Sequence, residues 1–82
     1  MYILKSRKTK KLYIGYTSDL RKRVKQHNKG YSKSTKNGVP WELRYYEAYT
    51  DQQDATEREQ QLKRFAKSYA MLKKRIKKSL ED

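Results

Sequence analysis

Two short runs of strand-forming residues, Tyr2-Ile3-Leu4 and Leu12-Tyr13-Ile14, flank the polar stretch Lys5-Ser6-Arg7-Lys8-Thr9-Lys10. This pattern predicts an antiparallel hairpin whose loop spans several residues and contains no glycine. Apolar positions then shift to helical spacing at Leu20, Val24 and His27, with Thr17 or Ser18 as the expected cap, Asp19 at the N-terminal dipole and Gly30 as the stop. From Lys29 to Pro40 the residues are those of a basic loop, and Trp41 to Thr50 returns to strand character, with Leu43 and Tyr45 expected on one face and Tyr46 on the other. Thr50 or Asp51 is then expected to cap a helix, Gln53 completing the box, with Ala55, Leu62, Phe65 and Ala66 turned inward. After a break expected near Lys67-Ser68, the residues Tyr69, Leu72, Ile76 and Leu80 mark a last amphipathic helix. The order β-β-α-β-α-α predicts an α+β fold, a small three-stranded antiparallel sheet flanked by helices.

Composition narrows the picture. Over 82 residues no change of composition marks a boundary, so one domain covering residues 1–82 is expected, starting at its own Met1. Without cysteine there is no disulfide and no thiolate ligand, and the apolar runs are far too short for a signal peptide or a membrane span. A soluble, cytoplasmic monomer is the expectation. The net charge of +13 is segregated along the chain: Lys63 to Lys78 carries eight basic residues and no acid, and six of the nine acids fall between Glu42 and Glu59. A polyanion relieves such self-repulsion, which makes nucleic acid the leading partner. A generic basic surface for RNA or anionic lipid is the competing reading of the charge alone, although the apolar stripe of the last helix is needed to cover the core.

Some residues are not required by this fold. Glu59 lies four positions after Ala55 and three before Leu62, on the face expected to turn inward, so something cationic must meet it: a lysine or arginine, or a divalent ion. Arg23 and His27 are one turn apart beside the Leu20 and Val24 stripe. Either could be an ordinary helix-edge or helix-end residue. Tyr13 points away from Leu12 and Ile14, on the side of Gly15, where the missing side chain lets a backbone or ligand approach. Eight tyrosines beside one Trp and one Phe supply both stacking planes and hydroxyls.

Met1-Tyr2-Ile3-Leu4, a short hairpin loop, Leu12-Tyr13-Ile14-Gly15, the helix running from Asp19 through Arg23 to His27, and Glu57-Arg58-Glu59 occur in that order. Together they resemble the GIY-YIG nuclease family. The chain is most similar to its small stand-alone bacterial members, through Tyr13 to Ser18, Pro40 to Leu43 and Arg58 to Lys63. The resemblance implies an endonuclease that hydrolyses phosphodiester bonds, DNA in preference to RNA, with a place in DNA repair. Tyr2, Tyr13, Arg23 and His27 match its catalytic positions, Glu59 its metal ligand for one Mg²⁺ or Mn²⁺, and Gly15 its motif glycine. Two departures stand out: Met1 alone replaces the Gly-Ile before the first tyrosine, and Tyr16 stands where excision-repair relatives carry lysine.

On these assignments Arg23 would grip the scissile phosphate with its planar fork, and Tyr2 and Tyr13 would position and deprotonate water, either phenol taking the proton. His27 would serve as a proton or phosphate partner. Lys29, Lys33 and Lys36 of the loop and Lys73, Lys74 and Arg75 of the last helix would hold the backbone without reading its sequence. A non-catalytic basic binding domain, or a nuclease subunit silent until a partner protein arranges the site, would share most of these features.

Overall fold

The structure is a computed structural model that describes residues 1–82. The hairpin forms as expected from β1 (Tyr2–Ser6) and β2 (Leu12–Gly15), and β3 (Trp41–Tyr46) pairs on the other side of β1, giving an antiparallel sheet of order β2-β1-β3. Lys10, at φ 65, takes the left-handed turn position that glycine more often fills. The Ser6 hydroxyl accepts from the Lys8 and Thr9 amides and donates to the Gly38 carbonyl at 2.5 Å, which ties the hairpin to the loop before β3.

Helix α1 (Leu20–Asn28) is capped by Asp19, which accepts from the Lys22 amide; Thr17 instead accepts from the Asp19 amide. The chain leaves α1 through Gly30 at φ +77, the expected stop. Asp51, not Thr50, caps α2 (Gln52–Arg64), and Gln53 bonds to Glu57 rather than closing a capping box. The break after α2 falls at Phe65, whose extended backbone separates it from α3 (Ala66–Arg75); a second break at Ile76 sets off the short α4 (Lys77–Leu80). Phe65 is therefore 55% exposed and is not the inward residue that helical spacing predicts, because the period ends with α2.

Alternation also fails once in β3. Leu4 pairs with Leu43 but Ile3 with Tyr45, so the sheet accommodates Arg44 as an extra residue. Leu43 and Tyr45 fall on opposite faces as a result, and Tyr46 is brought opposite Tyr2. Strand character ends there, four residues short of the expected Thr50.

Both faces of the central strand are covered. On one, Met1, Ile3, Ile14, Leu62 and Leu72 form an apolar cluster under α2 and α3, joined by Tyr45, Tyr69, Ile76 and Leu80. On the other, Tyr2, Leu4 and Trp41 pack with Tyr13, Leu20, Val24 and Val39 beneath α1. Of the α2 positions, Ala55 and Leu62 are buried, so Glu59 between them is carried inward.

Candidate functional site

The α1 face of the sheet holds the buried polar groups. Tyr2 is 1% exposed and His27 fully buried, and the Tyr2 hydroxyl meets His27 Nε2 at 2.8 Å. Thr35 Oγ1 meets the other ring nitrogen, Nδ1, at 2.7 Å. A neutral imidazole needs one donor and one acceptor, and these two hydroxyls supply them. Burial holds the His27 pKa below its ordinary value, helped by the nearby Arg23 charge. Burial also pushes the Tyr2 phenol up, against a downward pull from Arg23. The ring of Tyr2 lies across Gly15, its partner in β2: a Cβ there would collide with the Tyr2 hydroxyl and ring. Gly15 is thus required by the close approach of Tyr2, and the hydroxyl is enclosed between Gly15 and His27.

Tyr13 stands next to this pair, its ring centroid 5.1 Å from that of His27 and 6.4 Å from that of Tyr2, but only half-buried. The Lys63 ammonium lies 5.6 Å from the Tyr13 centroid and 3.6 Å from a Glu59 carboxylate oxygen. Glu59 is 19% exposed at its side chain, and its charge is felt by both the Tyr2 phenol and the Met1 amine. Lys63 is the protein cation that meets Glu59. Arg23 is half-buried, donates to the neutral Gln26 side chain at 3.2 Å and acts on the Tyr2 phenol, but its guanidinium has no carboxylate partner. A guanidinium without a carboxylate partner, beside a sheltered tyrosine, can receive an anion.

Tyr2, Tyr13, Arg23, His27, Gly15 and Glu59 are therefore brought to one region, α2 reaching round the β2 edge to deliver Glu59 and Lys63. Exposed Lys29, Lys33 and Lys36 follow α1 in the segment that carries Thr35. Lys73, Lys74 and Arg75 sit on α3, against the opposite face of the sheet. The two basic groups do not form one surface.

Several supporting contacts carry no signal in the sequence. Thr35 lies in a polar loop with nothing to mark it, yet it holds His27 and its carbonyl accepts from Trp41 Nε1 at 2.7 Å. Asn28 accepts from the Trp41 amide and donates to its carbonyl, locking the end of α1 to the start of β3. Arg58 reaches Glu47 at 3.0 Å, and Glu47 also accepts from the hydroxyls of Tyr45, at 2.7 Å, and Tyr49. Burial works to raise the Glu47 pKa, but Arg58 and the two hydroxyls hold it below the ordinary value. Burial and the same carboxylate push Tyr49 up to about 12. This cluster anchors α2 one residue before Glu59.

Nowhere do three His, Cys, Asp or Glu side chains gather as a metal cage. Zinc-type sites need such a cage, whereas Mg²⁺ and Mn²⁺ keep several waters and are held by one or two carboxylates together with substrate phosphate. A single inward carboxylate near an unpaired guanidinium fits the second kind. No helix is long and apolar enough to cross a membrane.

The family model described as the GIY-YIG catalytic domain matches residues 1–78. Among curated relatives, a UPF0213 protein of Clostridium perfringens is 38% identical over 69 residues, 83% of this chain and 73% of the relative. One of Pediococcus pentosaceus is 45% identical over 58 residues, and there the chain spans 61% of the relative's length. One of Staphylococcus saprophyticus is 38% identical over 68 residues, 82% of each chain. No solved structure matches. With the matched residues taking in every member of the site from Tyr2 to Glu59, the chain belongs to the GIY-YIG catalytic domain family.

Proposed function

We propose that this protein is an endonuclease that hydrolyses phosphodiester bonds of DNA with one Mg²⁺ or Mn²⁺, acting as a cytoplasmic monomer in DNA processing such as repair. The observation that carries this reading is a pair of under-compensated charges of opposite sign: a half-buried guanidinium, Arg23, without a carboxylate partner, and an inward carboxylate, Glu59, held only by a lysine. A phosphate and a divalent ion complement these two groups together.

Arg23 binds the scissile phosphate through its fork and offsets the charge that builds on the phosphoryl oxygens. Glu59 holds the ion, which when bound supplies Lewis-acid stabilisation of phosphoryl oxygen charge. The two tyrosines take different parts. Tyr2 is enclosed, donates or accepts within the His27 pair and has its pKa raised, so it stays a neutral phenol that fixes the imidazole. Tyr13 is half-exposed and faces the same space, so it is the phenol that orients the attacking water and takes its proton. The Lys63 ammonium complements the charge that forms on that ring. Thr35 and His27 keep Tyr2 and Tyr13 in register. Lys29, Lys33 and Lys36 steer the backbone toward Arg23.

The test is incubation of the purified protein with single-stranded, duplex, flapped and branched DNA and RNA, with Mg²⁺, Mn²⁺ or chelator, beside Glu59→Ala and Arg23→Ala. Cleavage that needs metal and both side chains supports the proposal. Salt-sensitive binding to every substrate without cleavage by the wild type would instead favour a binding domain, and cleavage only after a partner protein is added would favour a nuclease subunit.

A further inference from the structure

A cavity of about 400 Å³ opens where β1 begins and β2 and β3 end, directly beside the site. Tyr2 forms part of its wall. So do three tyrosines with no part in the chemistry above: Tyr16 after β2, Tyr46 at the end of β3, and Tyr49 before α2. Their positions have separate causes. The extra residue in β3 sets Tyr46 across from Tyr2, where it remains 59% exposed. Tyr49 is held by the hydroxyl it gives to Glu47, itself clamped by Arg58. Thr17 and Gln52 add polar groups along the rim.

Single exposed aromatics are ordinary, but exposed Tyr46 and Tyr49 together with half-buried Tyr16 around one cavity beside Arg23 call for a flat ligand with polar edges. A cleft of this size, open to solvent on one side, admits a small organic group. Nucleobases have that shape, and they stack on tyrosine whatever their identity. A strand whose phosphate rests on Arg23 can seat a base here only if that base is free of its duplex neighbours.

We propose that the cavity walled by Tyr16, Tyr46 and Tyr49 receives one unpaired nucleobase next to the bound phosphate, so that the substrates are nucleic acids with an unpaired nucleotide at the point of cutting. This rests on the nuclease reading for the word cutting, but the base site can be tested without cleavage.

The experiment uses DNA strands carrying 2-aminopurine, a base whose fluorescence falls on stacking, bound to the protein in chelator. With the probe unpaired, in a single strand or a one-nucleotide bulge, wild type and Tyr46→Phe should quench it strongly. Tyr16→Leu and Tyr46→Leu should weaken that quench, and each should lower affinity for the bulged strand by about tenfold, the size of one base-aromatic stack, while affinity for intact duplex is unchanged. With the probe paired inside duplex there should be no quench. Equal quenching by wild type and both leucine variants, or equal quenching of paired and unpaired probes, would overturn the proposal. In Mg²⁺, quenching without any cleavage would keep the base site and remove the nuclease reading. Cleavage of paired and bulged duplex at equal rates, unaffected by the leucine variants, would do the opposite.

Discussion

The two faces of this sheet share three strands and little else. Beneath α2 and α3 the buried residues are Met1, Ile3, Ile14, Leu62 and Leu72, all apolar. Beneath α1 the strands present Tyr2 and Ser6 beside the apolar Leu4 and Trp41, and the helix and its following loop bring His27 and Thr35; these four polar residues are all buried and all hydrogen-bonded. One face stabilises by area removed from water, which tolerates small shifts. The other depends on hydroxyl and ring positions, since a buried polar group that loses its partner costs more than the bond contributed. α2 belongs to both, giving Leu62 to the first and Glu59 with Lys63 to the border of the second.

The widest separation of the faces should come from activity. Arg23→Ala and Glu59→Ala should each lower single-turnover cleavage by about a thousandfold or more while the far-UV circular dichroism is unchanged. Leu62→Ala should do the reverse. Deleting that buried side chain should destabilise the fold by about 2 to 5 kcal/mol in urea titrations, while molecules still folded at low temperature cut at close to the normal rate. If Leu62→Ala removed activity from fully folded protein, the division between the faces would be wrong.

Much of this division was legible in the sequence, and the parts that were not share a cause. Short-range patterning predicted the hairpin, the helices and the inward position of Glu59, because helical and strand periods act over a few residues. The resemblance to a family supplied the roles proposed for Tyr2, Tyr13, Arg23 and His27. Partnerships across long separations stayed hidden: Thr35 with His27, Asn28 with Trp41, and Glu47 with Arg58 all depend on how loops fold back. Nothing in alternation announces the extra residue at Arg44, so Tyr45 and Leu43 were expected together. Phe65 misled for a related reason, since an apolar residue one step past a helix end looks like part of it. The difference between the two tyrosines was also invisible until Gly15 and His27 were seen to enclose one of them.

Smaller effects sharpen the polar face. Thr35→Val should leave His27 Nδ1 without its partner and lower stability by about 1 to 3 kcal/mol, measured by chemical denaturation. The pH dependence has a definite sign. Folded His27 binds a proton less readily than the unfolded ring, whose pKa is about 6.5. Its contribution is therefore full above that value and is withdrawn as the pH falls below it, so wild-type stability should decline as the pH is lowered through about 6.5. His27→Gln should be less stable overall but flatter across that window. An equal decline in both would point to another titrating group.

The smallest effects should distinguish the basic groups. Replacing Lys29, Lys33 and Lys36 together by Gln should reduce the slope of log affinity against log salt, by up to about 0.9 for each duplex phosphate that is no longer neutralised. Replacing Lys73, Lys74 and Arg75, which lie across the sheet from Arg23, should change that slope less. Fluorescence anisotropy over a salt series reads both.

The central claim, that phosphodiester hydrolysis occurs at Arg23 and Glu59 on the α1 side, is tested most directly by single-turnover cleavage with two purified proteins side by side. One is Glu59→Gln and the other carries Lys73→Gln, Lys74→Gln and Arg75→Gln. Cleavage by the triple variant at close to the wild-type rate, with none by Glu59→Gln in Mg²⁺ or Mn²⁺, is the predicted result. Metal-dependent cleavage by folded Glu59→Gln at the wild-type rate would contradict it.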